Sequence, residues 1–170
     1  QVMDSDVMER WIEGTLKGIV RDESIGKVFK AHFGQVNTSG PTDSAYTHTF
    51  KPDNDSNEHA LYTLFENNPN NDLRFPGCQL GTLNLDWIVG DYIRYTVAVL
   101  GQVSESNPHA ITYKDENQFR PMDGSMKVAA EGISNLSGAN TISVKEVHLT
   151  LEKPLHRDML IGDNDVDDVF

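Results

Sequence analysis

Residues 77–102 read GCQLGTLNLDWIVGDYIRYTVAVLGQ. Leu83, Leu85 and Trp87 alternate with Asn84 and Asp86. After Val89-Gly90-Asp91, the residues Ile93, Tyr95, Val97 and Val99 alternate with Arg94, Thr96 and Ala98. Period-two alternation on both sides of a glycine-bearing turn is the pattern of a β-hairpin with one buried face. No other stretch gathers as many β-branched and aromatic residues, so this hairpin is expected at the centre of a sheet. The alternation slips between Leu80 and Leu83, at Gly81. A slip of one residue turns every later side chain to the opposite face, so a bulge or kink is expected there.

The 170 residues around this hairpin suffice for one domain with a sizeable core. A hydrophobic fraction of 38% allows that core. No apolar run approaches the roughly 20 residues of a membrane-spanning helix, and no membrane partner is expected. The start, QVMDSDVMERW, lacks a basic segment followed by an apolar one, so it does not read as a signal peptide. It also lacks an initiator Met, and the chain is expected to be a piece of a longer protein. Cys78 is the only cysteine, which leaves no internal disulfide and no cysteine-based zinc site. It reads as a small buried hydrophobe at the start of a strand. The net charge of −12 repels phosphates and argues against nonspecific nucleic-acid binding. Such charge serves solubility, or it gives nucleic acid a surface to pass without sticking.

On the N-terminal side, the apolar residues from Met8 to Val20 fit a helix on spacing alone, but Gly14, Thr15 and Gly18 and the alternation Thr15–Ile19 favour a strand. Asp22-Glu23-Ser24 precede Ile25, Val28, Phe29 and Phe33 at helical spacing, so a short helix is expected from about Glu23 to His32. Gly34 stops it. His32 then stands in the last turn, where a histidine sits well against the helix dipole. Gln35–Ala45 is polar, contains Gly40-Pro41 and reads as a loop. Tyr46–Phe50 reads as a strand, Lys51–Asn57 as a loop, His59–Phe65 as a strand and Glu66–Asn71 as a turn. Past the hairpin, Ser104–Asp123 is a long polar loop interrupted by Pro108 and Pro121. Strands are expected at Met126–Ile133 and Thr141–Leu151. From Pro154 the chain leaves the sheet. Both long loops are expected to be mobile in an isolated subunit and to order against neighbours.

No pattern for chemistry emerges. The six histidines stand singly, without HxxxH or HExxH spacing, and there is no GxSxG, Walker loop or GxGxxG. No catalytic, cofactor-binding or metal-ligating residue is assigned, and the protein is not expected to be an enzyme. Asp53-Asn54-Asp55-Ser56-Asn57 opens like a calcium loop, but Glu58 and Leu64 stand where such a loop needs glycine and glutamate. Asp163, Asp165, Asp167 and Asp168 form a denser cluster whose loop the chain does not complete. Both read as solvated turns. Asn37, Asn54 and Asn135 head Asn-X-Ser sequons that read as chance. Trp11 and Trp87 could form a sugar-stacking platform, but both stand in alternating apolar runs that favour core packing.

Several segments resemble the tail tube proteins, or major tail proteins, of long-tailed bacteriophages. Trp11-Ile12-Glu13-Gly14-Thr15, then Asp22–Gly26 and the helix to Gly34, resembles the family's first strand and helix. Tyr46-Thr47-His48-Thr49-Phe50 resembles the strand after its polar loop. Pro76-Gly77-Cys78 leads into the central hairpin. Val144–Glu152, then Ile161-Gly162-Asp163 and the acidic run, resembles the family's late strand and the segment after it. The segments fall in the family's order and cover most of Trp11 to Phe170.

The resemblance implies a mainly β fold, a β-sandwich or partial barrel of antiparallel strands with one short flanking helix. One such domain would span residues 1–170, with 154–170 as an acidic extension. The resemblance also implies a structural virion protein, made in the host cytoplasm and placed in the tail. Its copies would form rings, hexameric or pseudo-hexameric, stacked into a hollow tube. They would also contact other tail proteins, and DNA would pass through without specific binding. The residues themselves leave a second class open, a β-sandwich binding module for carbohydrate or a cell-surface partner with calcium as an aid.

Overall fold

The computed structural model describes residues 11–42, 45–52, 60–131, 136–155, 157–158 and 168–169. The expected hairpin is its centre. Strand β1 covers Ile12–Ile19, and helix α1 covers Ile25–Phe33. Strands β2 (Gly34–Thr42), β3 (Ala45–Pro52) and β4 (Tyr62–Glu66) follow. Strands β5 (Leu73–Ile88) and β6 (Arg94–Gly101) form the hairpin, and β7 is Glu105–Ser106. A 3-10 turn at Pro121–Asp123 leads to β8 (Met126–Val128), β9 (Asn140–Ile142) and β10 (Glu146–Leu151). Two short strands, β11 (Arg157–Asp158) and β12 (Asp168–Val169), pair with each other.

The main sheet runs β1-β6-β5-β10, antiparallel throughout. Strand β5 is its spine. The C-terminal half of β5 lies between β6 and β10, and its N-terminal half pairs with β4 and β7. Strand β7 continues the register of β6, since Gln79 faces Leu100 and Leu73 faces Ser106.

The slip at Gly81 is a bulge, as expected. Leu80 faces Val99 and Leu83 faces Val97, so Gly81 and Thr82 together stand against Ala98. Two residues against one keep Leu80 and Leu83 on the same face although they are three apart. A second such step faces β4, where Tyr62 pairs with Cys78 and Leu64 with Phe75. There Gly77 has a φ of 58°, open to glycine and costly for a side chain. Both bulges hold one apolar face, with Cys78, Leu80, Leu83, Val97 and Val99 buried against Val20, Ile25, Val28 and Ala31. Cys78 is fully buried as expected, though in mid-strand, and burial raises its thiol pKa.

Helix α1 lies on this covered face. Gly34, at φ 90°, ends it by donating its N–H to the Lys30 carbonyl. The helix starts two residues later than expected. Asp22 to Ser24 form a turn, and the free N–H of Ser24 is taken by Glu116 Oε2 at 2.9 Å. The other end departs from expectation as well. His32 is buried, and its Nδ1–H donates to the Gly81 carbonyl at 2.9 Å. The bulge leaves Gly81 without a partner in β6. Desolvation lowers the His32 pKa, opposed by the Gly81 bond and reinforced by the Lys153 charge. The cation at the helix C-terminus is Lys153 instead, whose Nζ donates to the carbonyls of Ala31 at 3.3 Å and His32 at 3.2 Å.

Five further expectations are corrected. Gln35–Ala45 is not a loop: β2 pairs with β3 from Gly34↔Pro52 to Thr42↔Ala45. Both faces of this hairpin are largely exposed and polar, so no hydrophobic alternation marked it. Thr141–Leu151 is two strands, because β9 pairs with β8 while β10 joins β5. The chain changes sheets between Ile142 and Glu146. Among the described residues, Met126–Ile133 keeps its strand only to Val128, and His59–Phe65 forms a strand at Tyr62–Glu66. Ser104–Asp123 is anchored rather than free. Phe119 donates its backbone N–H to the Val20 carbonyl and accepts from that of Ile93, and the Asn117 carbonyl accepts from the Asp22 N–H. Lys114 also meets Glu23 at 2.9 Å.

Face assignment is testable at neighbouring positions. Val97 is fully buried while Ala98 is exposed on the other face. Val97→Asp is expected to cost about 3–5 kcal/mol, the range for an uncompensated buried charge. Ala98→Asp should leave urea unfolding nearly unchanged. Equal effects would contradict the strand phase. The His32 environment gives an acid limb. Its pKa is depressed on folding, so the stability it contributes is complete above the unfolded value of about 6.5. That stability falls as pH drops from there through the folded value. His32→Gln should flatten this limb, and an unchanged pH profile of melting would contradict it.

Candidate functional site

The face of the main sheet away from α1 carries Glu13, Thr15 and Lys17 on β1, and Arg94, Thr96 and Ala98 on β6. Asn84 and Asp86 on β5 and Glu146, His148 and Thr150 on β10 share it, with Ile19 and the exposed Ile88 at one end. Period two places all of these opposite the buried side chains. The register lines them up in rows. Lys17, Thr96, Asn84 and Thr150 form one, in which the Thr150 hydroxyl donates to Asn84 Oδ1 at 2.7 Å. In the next, Asp86 lies between Arg94 and His148. His148 Nδ1 is 2.6 Å from Asp86 Oδ1, and its Nε2 is 3.8 Å from Glu146. The Asp86 bond is the largest cause of a raised His148 pKa. Arg94 forks onto Asp91 with both bonds at 2.9 Å. One end of this face is closed where Trp11 and Leu155 pack on Leu100. The rest is bare among the described residues. It mixes both signs of charge, so the chain's acidic excess is not concentrated there.

Strands β1 and β10 are the outer strands of the sheet, and neither has a partner on its outer side among the described residues. Each edge opens onto an apolar groove on the covered face. Beside β1, Ile12, Leu16, Leu64, Phe75 and Val99 line a groove of about 570 Å³. Gly14 stands in it with nothing within 4 Å of where a Cβ would be. Beside β10, Leu85, Trp87, Phe119, Met126, Val147 and Leu149 line one of about 590 Å³. Leu149 is 47% exposed.

The β2–β3 hairpin is a third surface. A two-stranded ribbon with both faces wet has little burial to hold it. Its base is held where Phe50 meets Phe29, with ring centroids 5.5 Å apart, and its far end is polar.

Trp11 and Trp87 are partly buried as expected, but on different surfaces, so they form no common platform. The acidic stretch from Asp53 and the cluster from Asp163 lie outside the described residues for contacts and side chains, as do the sequons at Asn54 and Asn135. Asn37 is exposed on β2. Among the described residues, no group of three or more His, Cys, Asp or Glu is placed to hold a metal. No helix among them is long and apolar enough to cross a membrane. The exposed edges, Gly14 and Leu149 escaped sequence reasoning. The alternation that marks a strand does not say whether it is central or outermost.

Open sheet edges beside apolar grooves, a polar face and an outlying hairpin are surfaces suited to contact with other chains. The family described as phage tail tube protein matches residues 1–170, and the chain belongs to it. None of the curated proteins compared with the chain matches it. Membership makes it a structural protein of the virion tail that assembles with its own copies and with other tail proteins.

The row Arg94–Asp86–His148 predicts a titration. His148 is expected to titrate above its ordinary value, and Asp86→Asn should bring it back down. The sign is opposite to that of His32. What protonated His148 contributes is present below its unfolded pKa and lost as pH rises through the folded one. NMR of the imidazole protons reads both midpoints, and an unshifted His148 would contradict the pairing.

Proposed function

We propose that copies of this chain form rings, hexameric or pseudo-hexameric, that stack into a hollow tube through which DNA passes. The observation that carries this reading is the antiparallel sheet whose outer strands β1 and β10 have no partner on their outer sides among the described residues. Because β1 and β10 run in opposite directions, β10 of one copy can extend antiparallel from β1 of the next. Such head-to-tail addition is heterologous and closes into a ring when its rotation divides a full turn. A sheet continued in this way has one face covered by α1 and one bare, and the bare polar face turns to the lumen. Rows of Thr, Asn and paired charges offer DNA no concentrated cation, and the chain's net charge of −12 adds general repulsion. The domain spans residues 1–170 and acts by shape and contact, without catalysis. The β2–β3 hairpin reaches a neighbouring ring, which supplies the surface that the ribbon lacks.

Negative-stain electron microscopy of the purified protein should show rings or tubes. A persistent monomer at high concentration would contradict the reading. Hydrogen exchange adds a finer test. In the free subunit, amides of residues 36–49 should exchange fast while 78–85 and 95–100 stay protected, and 117–119 should be slowed by their bonds to the domain. In tubes the β2–β3 amides should gain protection. Equal exchange of those amides in both states would remove the hairpin from assembly.

A further inference from the structure

We propose that β10 of one copy pairs with β1 of the next in a single register, the one that sets Leu149 opposite Gly14. The inference rests on the assembly reading above and names the seam that reading needs. Parity limits the choices, because an odd shift would set apolar side chains against polar ones across the seam. In the proposed register the covered face pairs Ile12 with Leu151, Gly14 with Leu149 and Leu16 with Val147. The bare face pairs Glu13 with Thr150, Thr15 with His148 and Lys17 with Glu146. Leu149 is the exposed apolar side chain of β10, and the space beside Gly14 is empty. The leucine enters the groove walled by Ile12, Leu16, Leu64, Phe75 and Val99. Opposite charges directly across a strand pair attract, and Lys17 meets Glu146.

The neighbouring even registers are worse. A shift of two in one direction sets Glu13 against Glu152, a like-charge pair. A shift of two in the other sets Leu16 against Lys145 and leaves Glu146 facing Thr15. Only the proposed register matches apolar to apolar, pairs Lys17 with an acid and gives Leu149 a vacant site. The occupant of the groove beside β1 is therefore a second copy of this chain, and the groove beside β10 approaches the same seam from the other side.

Disulfide trapping in assembled material reads the register. The Thr15→Cys/His148→Cys variant, assembled and treated with a mild oxidant, should give a ladder of linked oligomers on a non-reducing gel. Thr15→Cys/Thr150→Cys, two positions out, should give none, and each single variant serves as a control. Cys78 is fully buried and stays in place. Gly14→Phe provides a second reading. Open space surrounds Gly14, so the variant should melt like the parent, yet it should fail to assemble. Tubes with no ladder, a ladder from the out-of-register pair, or normal tubes from Gly14→Phe would each overturn the register and leave the assembly reading standing. Failure of the parent chain to form rings or tubes would overturn the assembly reading and the register with it.

Discussion

The covered face depends on the two-against-one step at Gly81 and Thr82. Leu80 and Leu83 are three residues apart, and a regular strand would send them to opposite sides. The bulge puts both against α1. It also leaves the Gly81 carbonyl unpaired in the ladder, and a buried carbonyl must find a donor. His32 supplies it from the last turn of the helix. That single bond fixes where the helix ends on the sheet and which ring nitrogen of His32 carries the proton. Lys153 completes the joint by holding the carbonyls of Ala31 and His32. Its own backbone N–H reaches Thr82 Oγ1 at 3.4 Å. The strand, the helix end and the segment after β10 therefore meet at one irregular point of β5.

This joint explains why one face is closed and the other open. The helix, β4 and the side chains of Phe29, Tyr62, Phe75 and Tyr95 gather on the side of Leu83 and Val97. Trp11 and Leu155 pack on Leu100 at one end of the opposite side. The remaining polar rows need no cover, since their hydrogen bonds are made among themselves or to water. Among the described residues the sheet stops at β1 and β10, and an open strand edge is a state that proteins usually manage by blunting it or by using it. Here the apolar grooves beside both edges make use as an interface the economical reading.

Where side chains alternate in polarity, the structure was legible from sequence. The β5–β6 hairpin, its turn at Gly90, the bulge at Gly81 and β1 all came from period two. The helix came from Ile25, Val28 and Phe29, and its stop from Gly34. The β2 strand was illegible because Asn37, Thr38 and Ser39 are exposed on a ribbon without a core face. The anchoring of Ser104–Asp123 was illegible for another reason. Asp22 meets Asn117, and Ser24 meets Glu116, across more than ninety residues of chain, and no local pattern announces such bonds. The candidate site was the least legible part. An edge is a property of strand order, and the vacancy at Gly14 is a property of what does not pack there.

The central claim is that the sheet of one copy continues into the next and turns its bare face inward. A cryo-electron microscopy reconstruction of assembled tubes tests it most directly. The account predicts unbroken strand density from β10 across β1 of the neighbour, with Asn84, Thr96 and Thr150 facing the lumen and α1 outside. A tube in which these two edges lie apart, or in which α1 lines the channel, would contradict it.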